Sequence, residues 1–595
     1  MADRDHDLVV RIGGDSSAGG IVTTGEVFAR IASFVGLEIY TTRTVPAEIK
    51  GGHVMFQVRT ADRPIHSQGD ELDLLVAYDQ ESFNRYFGLL KKGGVFVYNG
   101  NDLTPPASDE VKMYGLPLTD LARQINFVRG RNIILIGALV KLFDLPYDRA
   151  VEVVRQQLGR KKEMLEQNLT ALQTGYRWVE ENIGRESPFH LRGGSPGRDA
   201  GPHGSGERLL LSGNQALAIG AIAAGCRFYA GYPITPATDI MEFLAAEFPK
   251  IGGTMIQAED EIAAIGMALG AAYTGVRSMT ATSGPGLALM IEMLGHASMT
   301  ETPLVIVDVQ RAGPSTGMPT KVSQGDLRMA VFAGNDDAPR FVVAPVSVQD
   351  CFYQIINAFN LAEKYQTPVL FLSDQDMSVR VQTIPPLDLS AAKLEPRLLW
   401  NPTGDHQGKY ERYADTPSGV SPMSLPGMPG GQYTAEGLEH HASGAPGYDP
   451  ALHILNMQKR YRKLESALPD IEAWGMYEQF GDDDAAVGVI GWGSTIGPVR
   501  EAVACAKESG IPVAVFYPKA LFPLPDDRLK AFLEKRQAVI VPEMNYTGQF
   551  AGMLRARAQS YGIERPIVRL NQYGGVPFTM RQVYEQIVAV HGTLK

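Results

Sequence analysis

The sequence predicts an α/β protein built of three α/β domains. Short apolar runs of strand length alternate with longer segments of helical period through most of the chain, the pattern of helices laid on largely parallel sheets. Two stretches break the alternation, a Gly/Pro/Ser-rich run at 185–207 and a Pro- and Gly-crowded one at 386–475. At 595 residues the chain also exceeds what one hydrophobic core supports.

In the first domain, 1–184, strands are expected at 8–12, 38–42, 54–59, 72–77, 95–98 and 132–136, with a helix over 21–34. Charged residues of helical period fill 150–181. A flexible linker follows at 185–207. The second domain, 208–385, places strands at 227–231, 278–282, 304–309 and 368–372. Residues 386–475 are too many for a casual loop and predict an ordered excursion. The third domain, 476–595, has strands at 487–490, 513–517 and 538–542.

Composition narrows the function classes. Hydrophobic content of 44% and charged content of 20% are ordinary for a globular protein. A net charge of -11 gives no support for a nucleic-acid-binding surface and suits a small-molecule enzyme. Cys226, Cys351 and Cys505 lie far apart, so neither a disulfide framework nor an iron–sulfur or zinc motif is expected. The N-terminus is polar and acidic, and no apolar run reaches the roughly 18 residues of a membrane span. A cytoplasmic protein, bound neither to membrane nor to nucleic acid, is expected.

Two glycine-rich turns follow strands. The turn at 13–20 opens a helix, which suits phosphate binding by free N–H groups as well as a plain tight turn. Its candidate contacts are Gly13, Gly14, Ser17 and Gly19, with Lys50, Gly51 and Gly52 on the same face. It has neither the spacing of a dinucleotide fingerprint nor a P-loop lysine. The turn at 491–497 is expected to pack at a domain interface.

The central constellation is richer. After the strand at 227–231 comes Tyr232-Pro233-Ile234-Thr235-Pro236, where Thr235 reads as an N-cap and Pro236 as the first helical residue. A hydroxyl and free N–H groups there can bind a carboxylate, or Thr235 can simply cap. Glu261 opens a helix of small and aliphatic residues that looks too poor in charge to face water. That places a carboxylate at the mouth of an apolar site, where its protonation is tunable. It also fits an ordinary favourable charge at a helix start. Arg311 follows the strand at 304–309, at the carboxyl edge where α/β sheets hold ligands. The loop 312–321 ends in a second cation, Lys321. Two cations and a helix start on one edge point to a small anionic substrate, and an Arg–carboxylate pair across an interface is the plainer alternative.

The series Glu261, Gly270, Thr274-Gly275 and Thr282-Ser283-Gly284-Pro285-Gly286 resembles the pyrimidine-binding domain of thiamine diphosphate enzymes. With Tyr232–Pro236 and Gln310-Arg311, the resemblance narrows to the 2-oxoacid:ferredoxin oxidoreductases in their fused γ–α subunit form. It covers nearly the whole chain: 8–184 is similar to the γ domain, 209–378 to the pyrimidine domain, and 485–595 to the transketolase C-terminal-type domain.

The resemblance implies that Glu261 bonds the aminopyrimidine N1′ and promotes the imino tautomer that deprotonates the thiazolium. Tyr232, Pro233, Ile234, Ser283 and Gly284 would line the cofactor with it. Thr235 and Arg311 would hold the 2-oxoacid carboxylate, and Lys321 a second one. The 13–20 and 50–52 segments would meet coenzyme A. No Gly-Asp-Gly occurs in the chain, and that is the Mg²⁺–diphosphate motif of these enzymes. The resemblance therefore implies a β subunit bringing the diphosphate site, Mg²⁺ and a 4Fe–4S cluster, in an (αβ)₂ heterotetramer with ferredoxin as acceptor. The implied reaction is oxidative decarboxylation of a 2-oxoacid with coenzyme A, on 2-oxoglutarate, pyruvate or a branched-chain oxoacid. A thiamine-dependent carboligase and a non-catalytic scaffold are the competing readings. The missing motif weighs against the first, and the joint presence of Glu261, Thr235 and Arg311 against the second.

Overall fold

The computed structural model of the chain describes residues 7–18, 20–46, 51–158, 162–184, 191, 208–401, 403 and 410–594. The 185–207 run therefore lies, except for Leu191, outside the described residues. Two compact units emerge, one of residues 1–211 with 379–386, the other of 212–378 with 387–595. Three β-sheets of eight, seven and five strands organise them.

The first unit centres on the eight-stranded sheet. From Leu8–Asp15 outward, Leu72–Ala77, Leu90–Asn99 and Lys112–Leu116 add in parallel. On the other side His53–Ala61 and then Glu38–Thr44 run antiparallel. The expectation of a largely parallel sheet thus holds for one half only, because the connection from Glu38–Thr44 to His53–Ala61 is too short for a crossover. Val381–Ile384, expected in the second domain, lies antiparallel to Glu38–Thr44 and belongs to this unit.

The strand expected at 132–136 is instead part of the helix Arg131–Leu142. Ile133, Ile134, Leu135 and Ile136 are all buried, and a short, fully buried apolar run has no period that separates strand from helix. The helix packs on Lys162–Asn182 at two glycines. A Cβ at Gly137 would overlap the Leu172 carbonyl oxygen, and one at Gly175 that of Ile134.

In the second unit the seven-stranded sheet runs Ala520–Phe522, Phe341–Val343, Pro368–Asp374, Leu304–Gln310, Ser278–Thr282, Phe228–Gly231, Thr254–Gln257. All neighbours are parallel except the first pair. The chain leaves Phe228–Gly231 toward one edge of the sheet and leaves Ser278–Thr282 toward the other. The carboxyl ends of these two strands therefore flank a topological switch point, where an open α/β sheet forms its ligand crevice.

The five-stranded sheet runs Tyr477–Gly481, Val513–Pro518, Val487–Ile490, Ala538–Glu543, Ile567–Asn571, parallel but for the first. Gln324 ties it to the seven-stranded sheet. Its Nε2 donates to the Trp492 carbonyl at 2.9 Å, its backbone N–H donates to Met544 O at 2.8 Å, and its Oε1 accepts from Met544 N at 3.0 Å. A Cβ at Gly493, where φ is +63°, would sit 2.7 Å from that amide. The 491–497 turn packs here, between two sheets of one compact unit.

The 386–475 segment carries the helix Pro450–Ala473, which buries Lys459 and Lys463 against Glu301, each at 2.6 Å. Arg412 donates to the Glu301 carbonyl at 2.7 Å. Among the described residues no helix is long and apolar enough to cross a membrane.

Candidate functional site

Glu261 sits where the sequence placed it. Asp260 accepts a hydrogen bond from Ala263 N at 2.7 Å and caps the helix Glu261–Tyr273, leaving Glu261 as its first residue and only 6% exposed. Its carboxyl group fills a slot against the turn after Ser278–Thr282. A Cβ at Gly286 would lie 2.6 Å from Glu261 Oε1 and would collide with Thr282 Oγ1. Glu261, Thr282 and Gly286, separate in the sequence, meet at one point of packing. The helix is not buried all round, because Ile262 and Met267, 52% and 41% exposed, lie on the face turned away from the side that buries Glu261.

The N-cap assigned to Thr235 is not formed. The helix Thr238–Glu247 starts three residues later, with Ala237 at the cap position and no side-chain cap bond. Residues 234–238 make a tight turn instead, in which Ala237 N and Thr238 N both donate to the Ile234 carbonyl. This leaves the exposed Thr235 side chain uncommitted to a cap, and the Thr235 carbonyl accepts from Arg311 Nη1 at 2.6 Å. Asn214, fully buried, holds the turn from below by donating to Pro236 O at 2.9 Å. Tyr232 is 41% exposed, and Pro233 and Ile234 are half-buried.

Arg311 is the residue that joins these parts. It is buried and bonded to Thr235, and it feels the charges of Asp326, Asp308 and Glu261. Burial lowers the guanidinium from its usual value, and the three carboxyl groups oppose that shift. Ser283 is fully buried, its Oγ without a partner among the described residues, and its carbonyl accepts from Gly286 N and Leu287 N. Gly284 has Asp326 over it, 2.7 Å from the place a Cβ would take. Lys321 closes the 312–321 loop: its carbonyl accepts from Ala312 N at 2.9 Å, and its Cβ lies 2.8 Å from where a Cβ at Gly575 would be. The switch-point crevice therefore carries the Glu261 carboxylate beside Thr282 and Gly286, and the Arg311 cation on a neighbouring strand end.

Known proteins are similar to this chain along nearly its whole length. A family model for pyruvate flavodoxin/ferredoxin oxidoreductase, thiamine diphosphate-binding, matches residues 219–459. Models for pyruvate ferredoxin/flavodoxin oxidoreductase and for pyruvate:ferredoxin oxidoreductase core domain II match 9–178 and 485–583. The 2-oxoglutarate oxidoreductase subunit KorA of Mycobacterium tuberculosis is 33% identical over 602 residues, 93% of this chain and 88% of that protein. The 2-oxoacid:ferredoxin oxidoreductase subunit alpha of a Sulfolobus species is 31% identical over 97% of this chain and 96% of its own. A solved structure of 2-oxoglutarate:ferredoxin oxidoreductase from Magnetococcus marinus, with 2-oxoglutarate, coenzyme A and succinyl-CoA bound, is 39% identical. It superposes with a TM-score of 0.89 over 98% of this chain and 99% of that one.

The chain belongs to the 2-oxoacid:ferredoxin oxidoreductase family.

In this 2-oxoacid:ferredoxin oxidoreductase chain, the first unit brings the 13–20 segment against Gly51 and Gly52. Gly13 and Gly14 are strand residues rather than turn residues, since the strand continues to Asp15. Gly13 lies under Ser82, and Gly14 against Ile21. The Asp15 carboxylate then accepts from Ser17 N at 2.7 Å and from Gly52 N at 3.1 Å, and Ser16 N donates to the Gly52 carbonyl at 2.9 Å. Gly51 and Gly52 hold positive φ, +83° and +95°. Gly19 and Lys50 lie outside the described residues.

Sequence reasoning missed Asn214, Asp308 and Asp326. A signal existed for Asp308, which is an acid between Val307 and Val309 in a buried strand. Asn214 and Asp326 gain their roles only from what they fold against.

Proposed function

We propose that this chain is the α subunit, with fused γ domain, of a 2-oxoglutarate:ferredoxin oxidoreductase. The reaction takes 2-oxoglutarate, coenzyme A and two oxidised ferredoxins to succinyl-CoA, CO₂, two reduced ferredoxins and a proton. The observation that carries the reading is the Glu261 carboxylate seated against Gly286 and Thr282, on the same crevice as an Arg311 anchored to the Thr235 carbonyl. The likeness to the Magnetococcus marinus enzyme supports the choice of substrate.

The residues present fit the pyrimidine half of thiamine diphosphate. Glu261 offers an acceptor oxygen beside Thr282, and Gly286 keeps a side chain out of its slot. Tyr232, Pro233, Ile234, Ser283 and Gly284 would hold the ring beside it. When bound there, thiamine diphosphate would supply nucleophilic and electron-sink chemistry for decarboxylation of the 2-oxoacid. Glu261 holds and returns the proton that this chemistry exchanges at the ring nitrogen. Arg311 and the Thr235 hydroxyl orient the 2-oxoacid carboxylate, and Lys321 meets the distal one. In the first unit, Gly13, Gly14, Ser17, Gly51 and Gly52 meet coenzyme A.

The chain carries one half of the site. A cytoplasmic β subunit with the Mg²⁺–diphosphate motif and a 4Fe–4S cluster supplies the other half, in an (αβ)₂ complex that reduces ferredoxin. The exposed apolar side chains of Ile262 and Met267 on the outer face of the Glu261 helix support a partner chain packed on that helix. The division into γ, pyrimidine-binding and transketolase C-terminal-like domains is supported by three separate matched ranges, 9–178, 219–459 and 485–583, of which the second runs through most of the 386–475 excursion.

The test is a panel of 2-oxoglutarate, pyruvate and branched-chain 2-oxoacids given to the αβ complex with coenzyme A, with ferredoxin reduction as readout. Highest kcat/KM on 2-oxoglutarate is expected. Preference for pyruvate or a branched-chain acid reassigns the substrate, and no reduction with any of them removes the assignment.

A further inference from the structure

The strand Leu304–Gln310 is buried at all seven residues, and one of them is Asp308. Neither of its carboxyl oxygens meets an N–H or hydroxyl donor among the described residues. The group set against it is the carboxyl group of Asp326, whose Oδ2 has no such donor either. Two carboxylates have only acceptor atoms, so a hydrogen bond between them needs a proton. Like charges this close in an apolar setting do not both ionise. Burial, and for Asp308 also the neighbouring acid, pushes both groups above the usual carboxylate range.

The pair is held firmly. Asp326 N donates to Gln310 Oε1 at 3.1 Å, and Gln310 Nε2 donates to Ser373 O at 3.0 Å. Asp326 packs on Gly284, in the turn that also seats Glu261. The charged group facing both acids is Arg311, and Glu261 faces Arg311 in turn. Arg311 Nε is buried without an acceptor among the described residues, so one bond to Thr235 and the field of these acids fix the guanidinium.

We propose that Asp308 and Asp326 share one proton and, as a singly charged pair, position Arg311 for the substrate carboxylate. The proposal rests on the reading of Arg311 as the group that holds that carboxylate. One negative charge beneath the guanidinium keeps it in place. A second would add to Glu261 and repel the incoming anion. The shared proton withholds that second charge, so KM for the 2-oxoacid rises as alkaline pH removes it. Asp308 and Asp326 are positioning residues, because they reach the substrate only through Arg311.

The test uses the αβ complex and follows KM and kcat for the 2-oxoacid against pH. In Asp326→Asn the amide N–H replaces the shared proton and leaves Asp308 as the one charge, so the alkaline rise in KM disappears. Asp308→Asn/Asp326→Asn removes the charge altogether, and its KM lies about tenfold above that of Asp326→Asn, the scale of one hydrogen bond to a charged group, with a smaller change in kcat. Infrared spectra of the α chain alone at neutral pH show a protonated-carboxyl stretch that either single Asn variant removes.

Absence of that band, or an alkaline rise that persists in Asp326→Asn, overturns the proposal. If Arg311→Ala leaves KM unchanged, the carboxylate-holder reading falls and the positioning role with it. If Arg311→Ala raises KM and the double variant does not, the positioning role alone is overturned.

Discussion

Gly286 leaves open the space that the carboxylate of Glu261 fills. A methyl group there would stand 2.6 Å from Glu261 Oε1 and overlap Thr282 Oγ1. The glycine therefore keeps an acid in place on the wall of a crevice formed by strand order.

Glu261→Gln keeps the shape of the side chain and removes its ability to exchange a proton. Turnover of the αβ complex is expected to fall at least roughly 10²-fold, the low end of general acid–base contributions, with little change in KM. Steady-state ferredoxin reduction checks this, and unchanged kcat takes Glu261 out of the mechanism.

Gly286→Ala tests the same site while keeping Glu261 itself unchanged. Forcing the Glu261 carboxylate aside by a fraction of an ångström or more is expected to cost on the order of 10²-fold in kcat/KM. Circular dichroism should match the parent chain, since the helix Gly284–Met299 tolerates alanine. Parent-like activity would show that the slot relaxes freely.

The α chain alone is expected to be colourless and inactive, and addition of the β subunit to give a brown, active complex. Ile262→Glu puts a charge on the exposed flank of the Glu261 helix. It should weaken assembly at least about tenfold while leaving the chain folded. Analytical ultracentrifugation reads the association directly, and full-strength assembly would move the partner surface elsewhere.

Glu301→Gln probes the buried ion cluster under the excursion. Burial raises the Glu301 carboxyl, but Lys459 and Lys463 outweigh it and hold the group far below the usual range. Burial pushes Lys463 down to about 7 against the pull of Glu301. Removing the anion leaves two buried lysines uncompensated, a loss of about 3–5 kcal/mol by urea denaturation near neutral pH. A carboxylate depressed in the folded state contributes stability in full above its unfolded value of about 4.3, and that contribution drains away as pH falls below it. The gap between parent and variant should therefore narrow below that pH. A gap independent of pH would mean that Glu301 acts through packing alone.

The sequence by itself determined the strands whose apolar runs end in clear punctuation, such as Leu72–Ala77, Ser278–Thr282 and Val487–Ile490, which form with the expected bounds. It also determined the place of Glu261, because a charge before a run of small apolar residues can only open that helix. The segment 131–142 was not legible, since a fully buried run has no polar face to set a period. Nor was the Thr235 turn, where Arg311 from a distant strand takes up the carbonyl that a local reading assigns to a helix start. Asp308 and Asp326 are 18 residues apart in the sequence and become a pair only when the strand Leu304–Gln310 enters the core and the chain folds back over Gly284. Local propensity is a property of neighbours in the chain, whereas burial and the sharing of a proton are properties of neighbours in space. Only the tertiary structure decided those.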